Sequence, residues 1–167
     1  MVCQIRRWIV VIACACCLWV ASLSAIAPPV SAVILTQEES PGQILYQSRH
    51  RLRDKTGHTW QSILYKRVTN GDSSSLTLRL VGFPGTVEIV RTAAIEITTP
   101  SGETIALNDR FEEDSPAANV GEYDMEGAIG QFPKTGSLGL SLKTAKGTTQ
   151  IEIPLAVVVE WQDLRQR

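Results

Sequence analysis

The stretch GQILYQSRHRLRDKTGHTWQSILYKR, residues 42–67, decides the fold class. Two segments of mixed polar and apolar residues flank the turn sequence DKTG, residues 54–57. Segments of this kind on either side of a short loop that contains glycine are typical of a β-hairpin. A four-residue loop at 54–57 pairs Arg53 with His58. This pairing then predicts which side chains share a face of the hairpin.

The predicted hairpin places Arg49, Arg51 and Arg53 on one face, with Trp60 directly opposite Arg51. A guanidinium over an indole ring gains about 0.5–1 kcal/mol at an exposed site. We therefore identify these residues as a candidate binding patch for an acidic protein surface, a sulfated or phosphorylated glycan, or a lipid head group. The alternative interpretation is that Trp60 lies in the core and the arginines form an ordinary charged strand face.

Alternation of apolar and polar residues recurs along the chain, at 76–80, 95–98 and 138–142. Turn sequences that contain glycine, proline or asparagine separate these segments, which is the pattern of an antiparallel sandwich or barrel. We predict a mainly β protein, a single antiparallel β-sandwich or flattened barrel of about nine strands with one short helix.

The C-terminal part contains the predicted helix and one strongly buried predicted strand. The sequence YDMEGAIGQF, residues 123–132, predicts the short helix, with Asp124 as its N-cap and Glu126 in its first turn. The continuous apolar run at 155–159 predicts a buried strand. Pro154 cannot donate a ladder hydrogen bond, so we place it at a bulge, a sheet edge or the start of that strand.

The N-terminal segment has the layout of a secretory signal peptide. Arg6 and Arg7 precede an uncharged apolar run at 8–27. We predict cleavage after Ala32, with no membrane span afterwards; the alternatives are an uncleaved membrane anchor and a lipidated Cys14. The predicted organisation is a signal peptide at 1–32, an N-terminal lead-in at 33–42 and a β domain at 43–167.

All four cysteines lie within the predicted signal peptide. A mature chain from residue 33 would therefore have no disulfide, no thiolate metal ligand and no cysteine nucleophile. His50 and His58, the only histidines, lie on opposite faces of the predicted hairpin. This register excludes a two-histidine metal site within the hairpin and argues against zinc.

The charge of the mature chain argues against nucleic acid as a partner. Removal of Arg6 and Arg7 leaves 16 − 2 = 14 basic residues against 17 acidic ones, a formal charge of −3. The charge is also uneven, because basic residues cluster at 49–67 and acidic residues at 108–126. This asymmetry predicts that the two segments bind a partner or dock against each other.

The acidic stretch NDRFEEDSPAANVGEYDME, residues 108–126, contains the candidate metal ligands Asp109, Glu112, Glu113 and Asp114. Calcium binds about six to eight oxygen atoms and favours carboxylates in loops. The spacing is not that of an EF-hand loop, and a solvated acidic connection is the simpler interpretation. Calcium is therefore the only cofactor that the sequence suggests.

Catalysis by the same carboxylates is a third candidate. A hydrolase acid and base need a fixed separation and pKa values that burial pushes apart, and a loop sequence determines neither. The sequence contains no GxSxG nucleophile elbow, phosphate loop or dinucleotide signature. We therefore predict a protein that is not an enzyme.

Four motifs, GQILYQSRHRLRD, GHTWQ, LRLVGFPG and FEEDSPAANVGEYD, together resemble an uncharacterised family of small exported cyanobacterial proteins, the domain of unknown function 3122 type. The resemblance covers nearly all of the predicted mature chain. It implies a cyanobacterial source and export to the periplasm or the thylakoid lumen. It assigns no activity and no functional residues.

These observations predict a non-catalytic exported interaction or assembly module. Its expected partner is a protein or an envelope component, bound through the patch of Arg49, Arg51, Arg53 and Trp60, through the acidic stretch, or through both. A calcium-binding protein that uses residues 109–126 is the alternative. A carboxylate-dependent hydrolase is the third possibility.

Overall fold

A computed structural model describes residues 34–71, 73–111 and 117–167. Within these residues the chain forms nine β-strands, a 3₁₀ helix and a C-terminal α-helix. The elements are β1 Leu35–Ser40, β2 Gln43–Arg53, β3 Thr59–Thr69, β4 Ser73–Val81, β5 Ile95–Thr98, β6 Thr104–Leu107, β7 Val120–Asp124, the 3₁₀ helix Ile129–Gln131, β8 Leu138–Thr144, β9 Gly147–Ile153 and α1 Leu155–Gln166.

The strands form two antiparallel sheets around one hydrophobic core. The larger sheet has the order β1-β2-β3-β4-β7, and the smaller sheet has the order β6-β5-β8-β9. Leu64 and Leu78 from the larger sheet share the core with Ile97 and Leu140 from the smaller one. The predicted mainly β, sandwich-like fold is confirmed, and the described strands do not close into a barrel.

The first hairpin has a different register from the predicted one. Arg53 pairs with Thr59, and Leu52 therefore lies opposite Trp60. Side chains alternate between the two faces of a strand, so a shift of one residue moves every β3 side chain to the other face. Trp60 is fully buried in the core. The prediction that Trp60 shares a face with the three β2 arginines is wrong.

The register differs because the hairpin loop contains three residues, 55–57, instead of four. The amide of Asp54 donates to the carbonyl of His58 at 3.0 Å, so these two residues close the ladder. The amide of Gly57 donates back to the carbonyl of Asp54 at 3.0 Å. Gly57 has a φ of +90°, which glycine adopts without steric cost and which is typical of the last position of a three-residue hairpin loop.

The buried carboxylate of Asp54 holds this loop in place. It accepts hydrogen bonds from the Thr56 amide at 2.9 Å, the Thr56 hydroxyl at 2.6 Å and the His58 amide at 2.9 Å. The Trp60 Nε1–H donates to it from the core at 3.0 Å. Burial raises the pKa of Asp54, but these hydrogen bonds outweigh burial and lower the pKa from 3.8 to about 2.

The C-terminal segment is a helix, so the predicted buried strand at 155–159 is wrong. Val157, Val158, Trp161 and Leu164 are the buried apolar residues of α1, and their spacing matches one face of a helix. A short continuous apolar run is compatible with either a strand or a buried helix. Pro154 precedes the helix as its N-cap, with its carbonyl accepting from the Val157 and Val158 amides. Among the described residues no helix is both long and apolar enough to cross a membrane.

Two smaller predictions also change. The predicted helix at 123–132 is reduced to the 3₁₀ turn Ile129–Gln131, and Asp124 ends β7 instead of capping a helix. The residues predicted as a lead-in include β1, which pairs with β2 at the edge of the larger sheet. All six β1 residues are exposed, so little burial signal marked this strand in the sequence.

Candidate functional site

Three of the predicted site residues lie together on the outer surface of β2. Arg49, Arg51 and Arg53 are exposed, whereas Leu52 between the last two points into the core. This arrangement follows from strand alternation within β2 and does not depend on the hairpin register. We call these three arginines the arginine face.

Trp60, the fourth predicted site residue, lies on the other side of the sheet. Its relative exposure is 0%, and its indole N–H is bound to Asp54. Gln61 takes the position opposite Arg51 that the prediction gave to Trp60. The alternative interpretation of the sequence, a core tryptophan behind a charged strand face, therefore describes the structure.

A groove of about 440 Å³ opens beside the arginine face. Arg49 and Arg51 line it from β2, and Gln61 lines it from β3. Val81, at the end of β4, and Phe83 contribute apolar surface. We call this feature the basic groove. Its residues come from three neighbouring strands and the loop after β4, so their proximity was not predictable from one segment of sequence.

The turn that carries Phe83 is fixed by hydrogen bonds on both sides. Its carbonyl accepts from the Thr86 amide at 3.1 Å, and Gly85 has a φ of +74°, which only glycine adopts readily. On the other side, the Gly82 amide donates to the Asn119 carbonyl at 2.9 Å, and the Asn119 side chain donates to the Gly82 carbonyl at 2.8 Å. The Phe83 side chain is 67% exposed. A large apolar side chain is thus held in solvent beside arginines.

Other arginines on the same outer face have acidic partners. Arg67 of β3 donates to Glu39 at 2.7 Å, and this hydrogen bond lowers the pKa of the Glu39 carboxyl. Arg79 of β4 donates to Glu122 of β7 at 2.6 Å. The two guanidiniums also lie 5.8 and 5.6 Å from the centre of the Tyr65 ring, within cation–π range. These arginines form ion pairs and ring contacts within the fold.

In the described residues, the arginine face has no such acidic partners. Within the part of the chain that the structure describes, Arg51 and Arg53 form no ion pair or side-chain hydrogen bond. Arg49 donates to the neutral Gln47 side chain at 2.7 Å, and to no other described side chain. Within the described residues, no acidic side chain therefore neutralises the positive charge of the arginine face.

A family model described as "Protein of unknown function (DUF3122)" matches residues 32–164. The chain belongs to this family. The match extends from β1 into α1, so the arginine face and the basic groove are both parts of the DUF3122 domain. The family that the four sequence motifs indicated, the domain of unknown function 3122, is confirmed. No curated protein and no solved structure matches the chain.

A partly buried ion pair joins the acidic stretch of the DUF3122 domain to Arg91. Asp109 is bound by Arg91 at 2.8 Å, and their side chains are 2% and 17% exposed. Arg91 also donates to the carbonyls of Ala117 and Val120, at 2.9 and 2.8 Å. One guanidinium thus connects Asp109, near the start of the stretch, with Ala117 and Val120 in its middle. Burial, followed by the charge of Asp109, raises the pKa of the neighbouring Tyr123 hydroxyl.

The metal prediction is only partly covered by the structure. Asp109, a candidate calcium ligand, has an arginine partner, whereas Glu112, Glu113 and Asp114 lie outside the described residues. Among the residues that are described, no group of three or more histidine, cysteine, aspartate and glutamate side chains could hold a metal ion. Of the acidic-stretch carboxylates that are described, Asp109 pairs with Arg91 and Glu122 pairs with Arg79, and neither arginine belongs to the arginine face.

A buried polar cluster under α1 was not predicted. The Nε2 atom of His50 lies 3.0 Å from a Glu160 carboxylate oxygen and 3.1 Å from the Ser48 hydroxyl. Both contacts use one ring nitrogen, whereas a serine–histidine–acid relay uses the two nitrogens separately. Ser48 is also fully buried. The cluster joins α1 to β2, and its members could not be connected in the sequence while residues 155–159 were assigned to a strand.

Proposed function

We propose that this protein is a non-catalytic exported interaction or assembly module, which binds an acidic protein or envelope component through the arginine face. One observation carries the proposal: Arg51 and Arg53 are exposed and have no ionic partner in the described residues, while Arg67, Arg79 and Arg91 all have one. An arginine without a partner among the described residues can offer both of its parallel hydrogen bonds to an external anion.

The strand that carries the arginine face also supports this role. β2 is hydrogen-bonded to β1 on one side and to β3 on the other. Alternate residues of a strand are roughly 7 Å apart, so the guanidiniums start from evenly spaced, fixed backbone positions. Arginine binds carboxylates, sulfates and phosphates through two parallel hydrogen bonds. An extended acidic surface fits such a row.

Export is part of the same proposal and is supported by the sequence. The pattern of residues 1–32 is that of a signal peptide. The resemblance to exported cyanobacterial proteins favours the periplasm or the thylakoid lumen as the destination. A partner in either compartment would meet the arginine face directly.

Binding to a defined acidic polymer tests the proposal. We expect fluorescently labelled polyglutamate to bind the protein at low ionic strength, and Arg51→Glu to weaken binding about tenfold, because it replaces an attraction with a repulsion. Added salt should weaken binding by the unsubstituted protein, since exposed charges are screened over about 8 Å at physiological ionic strength. Anisotropy measures both effects.

Lys134→Glu is the matched control, because it makes the same charge change at an exposed residue on the chain segment before β8. It should change affinity by less than about twofold if binding is local to the arginine face. Equal losses in Arg51→Glu and Lys134→Glu would mean that only net charge matters, and the proposal would then be wrong. Melting temperatures of both variants identify any loss caused by unfolding.

A further inference from the structure

The basic groove changes from polar to apolar across the sheet. Arg51 of β2 lies opposite Gln61 of β3, and Gln61 lies opposite Val81 of β4. A cation, an amide and an aliphatic side chain therefore follow one another in a single row. Phe83, two residues after Val81, extends the apolar end. A ligand in this row meets charge at one end and hydrocarbon at the other.

Sheet geometry gives the distance between the charged end and the apolar end of the groove. Neighbouring strands are about 4.8 Å apart, so the backbones at Arg51 and Val81 are roughly 10 Å apart across β3. Arg49 adds a second guanidinium at the charged end. A matching ligand carries an acidic group and, roughly 10 Å away, an apolar or aromatic part. A ligand with only acidic groups would leave the apolar end of the groove unused.

The exposure of Phe83 indicates that the apolar end is part of the site. Its side chain is 67% exposed, and backbone hydrogen bonds on both sides fix the turn that carries it. Burial of a large apolar side chain is favourable, and a rigid turn has already lost the conformational freedom that binding would otherwise remove. A ligand that covers Phe83 therefore gains apolar contact at low entropic cost.

We propose that the basic groove binds an amphipathic anion, whose acidic head group contacts Arg49 and Arg51 and whose apolar part covers Val81 and Phe83. This inference rests on the proposed function and specifies the chemistry of the partner. An anionic lipid, held in a bilayer or free in solution, has the required chemistry. An acidic polypeptide would use the arginines and would not depend on Phe83.

The first experiment uses short-chain phosphatidylglycerol below its micellar concentration, titrated into the protein by calorimetry. We expect saturable binding, weakened roughly tenfold or more by Phe83→Ala because the buried apolar area is lost. Arg51→Glu should weaken it by about as much, since the head group then meets a carboxylate. Leu35→Ala is the control, because Leu35 is another exposed apolar residue, at 50%, on β1 of the same sheet.

A second experiment identifies the source of the lipid. Phosphatidylglycerol and phosphatidylcholine vesicles are sedimented with the protein and its variants. Binding to phosphatidylglycerol vesicles that Phe83→Ala and Arg51→Glu both reduce supports a lipid within a bilayer. Binding of the short-chain lipid without vesicle binding supports a free amphiphile. Neither probe should bind if its head group is zwitterionic phosphatidylcholine.

Polyglutamate separates failure of this inference from failure of the proposed function. If polyglutamate binding depends on Arg51 while the short-chain lipid and the vesicles do not bind, the amphipathic ligand is wrong and the acidic-partner function stands. If Phe83→Ala leaves lipid binding unchanged, the inference is also wrong. If Arg51→Glu changes no binding at all, both proposals fail.

Discussion

Arg91 and Arg51 are the same type of side chain next to the same sheet, but their surroundings differ. Arg91 is 17% exposed, with Asp109 and two backbone carbonyls as partners. Arg51 is exposed and has no such partner in the residues that the structure describes. Arginine count and sequence position do not distinguish these roles. The difference teaches that partners inside the fold separate arginines that stabilise it from arginines that are available for binding.

Removing Arg91 should have the largest effect on stability. Arg91→Ala leaves the Asp109 carboxylate, 2% exposed, without its counter-ion, and breaking a partly buried pair in this way costs about 3 kcal/mol of unfolding free energy. Arg51→Ala should cost less than about 0.5 kcal/mol, because it is a surface substitution. Urea unfolding of both variants measures the contrast.

The double variant Arg91→Leu/Asp109→Leu tests the cause of that loss. It removes both charges together, so it should be closer in stability to the original protein than Arg91→Ala is. Equal stability of Arg91→Ala and Arg51→Ala would show that the ion pair contributes little. The comparison between the two arginines would then have no energetic basis.

Replacement of Asp54 should have the second-largest effect on stability, and the size of this effect should depend on pH. Its folded pKa of about 2 is below the ordinary value of 3.8, so the carboxylate stabilises the fold above pH 3.8, and this stabilisation is lost as the pH falls towards 2. A difference of 3.8 − 2 = 1.8 corresponds to about 2 kcal/mol. The expected observation is that Asp54→Asn destabilises the protein more at pH 6 than at pH 2.

The measurement is the unfolding free energy of the original protein and of Asp54→Asn from pH 6 to pH 2. Subtracting one curve from the other removes the contribution of every other carboxylate that titrates alike in both proteins. The difference should shrink by about 2 kcal/mol across this interval. Parallel curves would contradict the assignment of Asp54 as the group that holds the hairpin loop and Trp60.

This loop also shows how far the sequence can predict the site. Alternation within β2 correctly placed Arg49, Arg51 and Arg53 on one exposed surface, because that inference is local to one strand. The register of β3 depends on the left-handed conformation of Gly57 and on the bonds to Asp54, and one residue of loop length decided which face received Trp60.

The aromatic neighbour of the arginine face could not be predicted for a different reason. Phe83 reaches the basic groove because β4 pairs with β3, which puts the end of β4 two strands from β2. Pairing between strands depends on contacts that are distant in the sequence. The helix α1 was missed because its apolar run is compatible with both periodicities until the buried positions, Trp161 and Leu164, are known.

Two arginines on the same sheet face, Arg79 and Arg51, should differ by a smaller amount in their effect on stability. Arg79, which is 44% exposed, pairs with Glu122 and lies against Tyr65. Arg79→Ala should destabilise the protein by about 0.5–1 kcal/mol, as expected for an exposed ion pair with a ring contact. Arg51→Ala should destabilise it less and should weaken polyglutamate binding more. Thermal unfolding measures the loss of stability in both variants, and anisotropy measures the loss of polyglutamate binding. If the same variant shows the larger loss in both measurements, the division into structural and binding arginines is contradicted.

Calcium should have the smallest effect on stability. A ligand at 100 times its dissociation constant stabilises a protein by about 2.7 kcal/mol, which is readily seen as a rise in melting temperature. We expect no rise at millimolar calcium, because the Arg91 guanidinium already neutralises Asp109 and a cation at that carboxylate would have to displace it. A clear rise that Asp109→Asn abolishes would contradict this expectation. It would mean that the acidic stretch, and not only the arginine face, binds a charged partner from outside the chain.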